Sequence, residues 1–369
     1  MNVLYLLRYY PTVSETFVYR EIDALVARGV AVTIAALGSR PDGRLQDEPP
    51  DAPVQMVPRR PLVGRLTRRT EGMSWLARHQ RAKDVQRLPW VARLARRFDR
   101  IHVHFGGEAA ELAHAIHLDT GLPYSVTVHA VDLFRPRPSL EEVLLGADSV
   151  LAVADHHVQH LACLGVNATR LRCGPDLGRW RVRPLPGPDL RALFVARNVP
   201  KKGLAALLDV WPQMPADARL EVISDHDGPV PPGVTVLGLQ PPGVVRQRMA
   251  DANVVVLPSR IAADGDQDGV PVVLMEAMAS GRPVIAGDVG GVAELVDDSV
   301  GWLVPPADPN ALLEALCAAS DPVERQKRSR HGPRHLRERG FTLADQVGGL
   351  MRAWRDATRS SVSPEAPEV

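Results

Sequence analysis

Cysteine is scarce in this chain: Cys163, Cys173 and Cys317 are three among 369 residues, far apart and odd in number. A disulfide scaffold is excluded, and without a CxxC pair or Cys/His ligand spacing there is no zinc site to read. The expectation is a reducing, cytoplasmic setting. Net charge is nearly lacking as well, at +1, so the chain has no global nucleic-acid footprint. No stretch reaches the roughly 18 apolar residues of a membrane-spanning helix, and the run MNVLYLLRYYP breaks too early for a signal core. It reads as a first strand. No strand runs into G-x-G-x-x-G, which argues against a nicotinamide oxidoreductase.

What is present is 45% hydrophobic content, enough for two ordinary cores and so for two domains. Strand 2–8, a helix from about Ser14 to Arg28 with Val18, Ile22, Leu25 and Val26 on one face, the stop Gly29 and strand 30–37 open a doubly wound α/β domain. Ligands of such folds lie beyond the carboxyl ends of the strands, so the loop PTVSETF faces a cleft. It offers Thr12, Ser14, Glu15 and Thr16 to that cleft; Thr12 with Glu15 equally fits a helix capping box.

Residues 39–61, rich in Pro and Asp, read as an irregular surface connection. The region 59–100 is basic and interleaved with Leu62, Leu66, Trp75, Leu76, Trp90, Leu94 and Phe98. One reading is peripheral contact with an anionic membrane on its inner face. The preferred one is a pair of solvated helices whose Arg stems cover the core. Beyond it, IHVHF places His104 at a strand's carboxyl edge, and strand 124–128 delivers His129 and Asp132 beside it. Two histidines at successive strand ends point to a site.

Four prolines and three glycines in 174–189 mark a linker between a first domain, 1–175, and a second, 190–340. The second domain opens with strand 192–196 and the loop RNVPKKG, where Arg197 and Lys202 flank a strand-to-helix turn and can address one anion. Its centre is GDQDGVPVVLMEAMASGRPVIAGDVGGVAE, residues 265–294. Pro271 to Ser280 reads as a short buried helix, started by Pro and stopped by Gly281. Glu276 does not suit that burial unless protein donors or ligand hydroxyls satisfy it. Asp268 precedes it by eight positions, and the loop Asp268-Gly269-Val270-Pro271 presents backbone N–H groups at a helix start. Paired Gly290-Gly291 suit either a close ligand approach or an ordinary turn.

This stretch resembles the acid-x7-acid signature of retaining glycosyltransferases of family 4, and PTVSETFVYREI and AADGDQ are similar to the bacterial exopolysaccharide (colanic-acid-type) subgroup. The resemblance runs from Asn2 to about residue 320. It implies the GT-B fold, two facing Rossmann-like doubly wound domains, and transfer of a hexose-type sugar from a nucleotide diphosphate sugar to a hydroxyl acceptor with retention. By it, Asp268 faces the donor sugar and Glu276 the ribose, although the family's first acid is normally the longer Glu. His129 and Asp132 match His-Gly-x-Asp with Ala130 replacing the glycine, and His129 contacts the donor sugar. Arg197, Lys202 and Gly203 match the diphosphate motif, with Ala196 at its first glycine; their charge removes the need for a metal, and no cofactor besides the donor is implied. Thr12, Ser14, Glu15, His104 and Asp132 belong to the cleft or acceptor side. The acceptor is a sugar, a lipid-linked intermediate or a small natural product. Helix 341–358 crosses back to the first domain, ahead of a polar tail, 359–369, read as disordered. A nucleotide-sugar hydrolase or epimerase, or a non-catalytic partner of an active transferase, are the alternatives.

Overall fold

Strands apolar on both faces, each followed by a helix, pair in parallel because every crossover returns the chain to the same end of the sheet. The computed structural model describes residues 1–59 and 69–362. Its first sheet contains β1 (Asn2–Leu7), β2 (Ala31–Ala36), β3 (Val54–Met56), β4 (Arg100–His104), β5 (Tyr124–Val128), β6 (Ser149–Ala152) and β7 (Ala168–Arg170) in the order 3-2-1-4-5-6-7. The second contains β8 (Arg191–Val195), β9 (Arg219–Ile223), β10 (Val234–Val236), β11 (Val254–Leu257), β12 (Val284–Gly287) and β13 (Gly301–Val304) in the order 10-9-8-11-12-13. Neighbours are parallel throughout both sheets. Strand order reverses between β1 and β4 and again between β8 and β11, so the loops leaving these carboxyl ends diverge and open a crevice.

β4 and β5 are buried along their whole length, so the loops at their carboxyl ends are held firmly in space. The last helix, Leu343–Val362, places Val347, Leu350 and Trp354 in one cluster with Val3, Tyr5 and Ile22 of the first sheet and its first helix. Trp354 Nε1 also donates to Ser125 Oγ of β5 at 2.9 Å. The chain's end therefore closes the face that its beginning leaves open.

Several boundaries differ from the sequence reading. The connection 39–61 is not wholly irregular, since Pro41–Leu45 makes a 3-10 turn and β3 adds an edge strand. β7 and β13 are short strands flanked by turn residues, which leaves little pattern for them in the sequence. The helical stretch after residue 321 breaks into Pro322–Ser329 and Gly332–Glu338. The break lets Gly332 pass where a Cβ would lie 2.2 Å from the Met278 carbonyl oxygen, so backbone there packs on the signature helix. The last helix continues past 358 to Val362; the rest of the tail, 363–369, lies outside the described residues.

The basic region forms helices Glu71–Arg78 and Ala82–Ala95. Trp75, Leu76, Leu88 and Leu94 turn into the first-domain core, while Trp90 and Phe98 pack partly buried against it. Leu62 and Leu66 fall outside the described residues. The described apolar side chains that suggested a membrane-lying face thus serve the core instead. Among the described residues no helix is long and apolar enough to cross a membrane.

Candidate active site

A cavity of about 950 Å³ lies between the sheets' carboxyl ends, a size suited to a substantial small-molecule ligand. Its second-domain wall begins at the turn after β8. Gly203 has φ +72, and a Cβ there would sit 1.9 Å from the Pro258 carbonyl oxygen, so the turn closes against the loop after β11 only without a side chain. Lys202 is thereby brought to Asp268, with Nζ 2.8 and 2.9 Å from the two carboxylate oxygens. Ser259 Oγ donates to Oδ2 of the same acid at 2.6 Å. Burial by itself would raise the Asp268 carboxyl, but Lys202, Ser259 and Lys201 outweigh it and hold it below the usual range. Asp268 is only 6% exposed, so without a cation it would be an isolated buried charge.

Arg197 lines the same cavity, is exposed, and has no ion pair among the described residues. Lys201, which the sequence reading passed over, is tied to Asp266 Oδ1 at 2.9 Å and the Gln267 carbonyl at 3.2 Å, pinning the loop that carries Asp268. The helix after it is Val272–Ala279, with Pro271 just outside in extended conformation. No side chain caps it, and Val272 and Val273 line the cavity with Gly269, Val270 and Pro271. N–H groups of a first helical turn have no intrahelical acceptor, so this end can meet an anion or sugar oxygens. Gly290 and Gly291 serve this loop from behind. A Cβ on Gly290 would lie 2.1 Å from the Asp268 carbonyl oxygen, and the Gly291 N–H donates to the Gly269 carbonyl at 3.1 Å.

Glu276 faces the cavity one turn into the helix, and its carboxyl has no hydrogen bond or ion pair among the described residues. Burial pushes its carboxyl up to about 7, against the pull of Arg20 and Arg246. Those arginines are already engaged by Glu48, as is Arg179 of the linker at 2.7 Å. Glu48, inside the segment read as a surface connection, therefore joins the first domain, the linker and helix Pro242–Asp251 of the second. Only its place among Pro and Asp residues was visible in sequence, and nothing there announced a bridge.

The first-domain wall carries His129, which directly follows β5 and is half-buried. Its ring lies 4.3 Å from Phe105 and 5.2 Å from Phe17, centroid to centroid. Burial, with His104 and His157 nearby, lowers its pKa well below the ordinary value, so it is neutral. Asp132 Oδ2 accepts the His129 backbone N–H at 2.9 Å, and burial raises this carboxyl to about 7 despite that bond. Ala130 begins the short helix Ala130–Phe134 with no positive φ, so the glycine of the family pattern is not required by the backbone here. His104 lies behind His129 and also reaches the cavity.

Ser14 and Glu15 line the cavity; Thr12 does not belong with them. It is fully buried, and its backbone N–H donates to the Tyr19 hydroxyl at 2.7 Å. The Thr12/Glu15 capping box is not formed either: Glu15 itself is the cap position of helix Thr16–Val26 and makes no side-chain cap bond. The helix starts later than the sequence suggests because Pro11 and the turn after it hold Thr12 beneath Tyr19.

The domains also meet through Glu294, from the short helix Val292–Leu295. Its carboxylate accepts from the N–H groups of Asp155 at 2.9 and 3.1 Å and His156 at 3.4 Å, and from Arg172 at 3.2 Å. It thus closes the start of helix Asp155–Cys163 from the opposite domain. Burial opposes ionisation, but His156, those N–H groups and Arg172 bring its pKa down to about 2.

Cations beside a helix start, an unmatched carboxyl and a neutral imidazole can together hold a diphosphate, a diol and a sugar ring. Residues 14–176 match the family model described as Glycosyltransferase Family 4, and 189–321 the one described as Glycosyl transferases group 1. The chain is 28% identical to the putative colanic acid biosynthesis glycosyltransferase WcaL of Escherichia coli, covering 87% of this chain and 91% of that protein. It is 31% identical to the amylovoran biosynthesis glycosyltransferase AmsK of Erwinia amylovora over 59% of this chain and 60% of that one. Among solved structures it is similar to Anabaena HepE in complex with UDP, with a TM-score of 0.75 at 16% identity, covering 96% and 100% of the two chains. The architecture is the GT-B fold of two Rossmann-like domains.

Proposed function

From a glycosyltransferase whose family 4 domain is followed by a group 1 domain, we propose transfer of a hexose-type sugar from a nucleoside diphosphate sugar to a hydroxyl acceptor, with retention. The observation that carries this is Glu276: a cavity-facing carboxyl without a partner among the described residues, in the helix that follows a lysine–aspartate pair. Ribose hydroxyls are the donors it lacks. Lys202 and Arg197 meet the diphosphate as its charge grows on departure of the sugar, and the uncapped helix start adds backbone donors. Asp268, held by Lys202, presents its remaining acceptor capacity to the donor sugar, and His129 stands on the opposite wall over the anomeric region. Asp is shorter than the Glu usual in the family, and its two oxygens are held by Lys202 and Ser259.

The relatives named for colanic acid and amylovoran biosynthesis favour a place in polysaccharide assembly, and a neighbour solved with UDP favours a uridine donor. Calorimetry with UDP-, GDP-, TDP- and ADP-sugars tests the reading alongside Lys202→Ala and Glu276→Ala. One donor is expected to bind, and both substitutions to weaken it. Absence of binding by every nucleotide sugar would overturn it.

A further inference from the structure

Behind His129 a line of polar side chains runs into the first-domain core. His129 Nε2 lies 3.2 Å from His104 Nδ1, and His104 Nε2 lies 2.8 Å from Glu21 Oε1. The Tyr5 hydroxyl donates to the same oxygen at 2.7 Å, and Gln346 Nε2 of the last helix donates to Oε2 at 2.7 Å. Glu21, Tyr5 and His102 have no exposure, and His104 has 5%. A carboxylate so placed is destabilising by several kcal/mol unless donors surround it. Here β1, β4 and the last helix supply them, and the only route from the acid to the cleft passes through His104 to His129 among these hydrogen bonds.

We propose that Glu21 is a positioning residue that acts through His104 to fix the tautomer and plane of His129. The inference rests on the reading of His129 as the residue over the donor sugar. An ionised carboxylate only accepts, so His104 Nε2 carries the hydrogen of the 2.8 Å bond. In a neutral His104 the other nitrogen, Nδ1, is then an acceptor and takes the Nε2–H of His129. His129 Nδ1 is then the nitrogen without a hydrogen, in keeping with its place facing the Asp132 backbone N–H in the capping box that opens helix Ala130–Phe134. Donors surround the Glu21 carboxylate on both oxygens, His104 Nε2 and the Tyr5 hydroxyl on Oε1 and Gln346 Nε2 on Oε2, and such bonds favour the ionised form. Phe17 and Phe105 confine the imidazole to one plane.

Ligand-type atoms of Glu21, His102 and His104 also lie within 4.8 Å of one another, a spacing a divalent metal can use. The hydrogen-bonded arrangement is favoured because Tyr5 and Gln346 already fill lone pairs of the carboxylate.

The test is nitrogen-15 NMR of histidine-labelled protein, with steady-state kinetics and binding of UDP and GDP by calorimetry. In the wild type, His129 is expected to be protonated at Nε2 and bare at Nδ1. Glu21→Gln is expected to mix the tautomers and to lower kcat by about 10- to 100-fold while leaving nucleotide affinity unchanged. Should Glu21→Gln not fold, His104→Asn breaks the line one step nearer the cleft; kcat is expected to fall as far and the His129 tautomers to mix. Folded protein with unaltered tautomer and kcat would overturn the proposal, as would one metal ion per chain in the purified protein. Loss of the transferase reading is seen separately: a wild type that binds and turns over no nucleotide sugar fails that reading, while the tautomer still decides the role of Glu21.

Discussion

The two walls of the cleft solve the burial of polar groups in opposite ways. On the second-domain wall charge meets charge at the surface of the cavity, as Lys202 pairs with Asp268 and Glu276 is left open. On the first-domain wall the imidazole facing the cavity, His129, is neutral, and Glu21, the acid at the end of its hydrogen-bonded line, is withdrawn behind two imidazoles. Paired charge suits a diphosphate, whereas a neutral imidazole held by a line of hydrogen bonds suits sugar hydroxyls. The difference teaches that one side is built to exchange partners when a ligand arrives and the other to keep its own.

Lys202→Ala is the substitution expected to break this contrast most. It strands a buried carboxylate, so stability should fall by about 3 kcal/mol in urea titrations. Binding of the nucleoside diphosphate should weaken by ~100-fold or more in calorimetry. The double change Lys202→Met with Asp268→Asn removes both charges and is expected to recover most of the stability and none of the affinity. Recovery of affinity would show that the pair is structural alone.

Glu276→Gln sharpens the comparison from the open side. Loss of the charged acceptor should reduce nucleotide affinity by about 10-fold. Its carboxyl is raised by burial from 4.5 to about 7, so the folded protein keeps a proton that the unfolded chain has released. Stability from this group is therefore full below about pH 4.5 and falls as pH rises through 7. The melting temperature of Glu276→Gln should exceed wild type at pH 8 and match it near pH 4.5. A constant difference at both would contradict the shift.

Glu294→Gln has a smaller expected effect, about 1–2 kcal/mol, because the amide oxygen still accepts from the Asp155 N–H. With a native pKa near 2, the wild-type carboxylate contributes above the unfolded value and loses that contribution as pH falls from about 4.5 toward 2. The stability gap between wild type and variant should close over that acid range in denaturant titrations, and small-angle scattering should show whether the domains part. Smallest of all is Thr12→Val. With no place on the cavity wall, it should leave kcat/KM within about two-fold of wild type and stability within about 1 kcal/mol.

Second-domain chemistry was legible in the sequence because it is local. Asp268, the start at Pro271, the apolar run and Glu276 lie within nine consecutive positions, and one short helix turns that spacing into geometry. The first domain was legible only at its strand ends, where His104 and His129 stood out. Glu21 was hidden in plain sight: it falls on the same helix face as Val18, Ile22 and Leu25, and an acid on a buried face was the signal available. Thr12 misled because its spacing to Glu15 fits a cap that the turn through Pro11 forecloses. Glu48 and Gln346 had no local pattern at all, since their partners lie across the chain.

The sequence by itself determined the alternation of strand and helix, the two cores, the linker and the signature helix, because each depends on residues near one another along the chain. Tertiary structure alone decided which acid would be paired and which left open, and that a buried glutamate would sit behind His129. Those outcomes depend on distance and on exclusion of water, and the residues responsible are up to 325 positions apart, as Glu21 and Gln346 are.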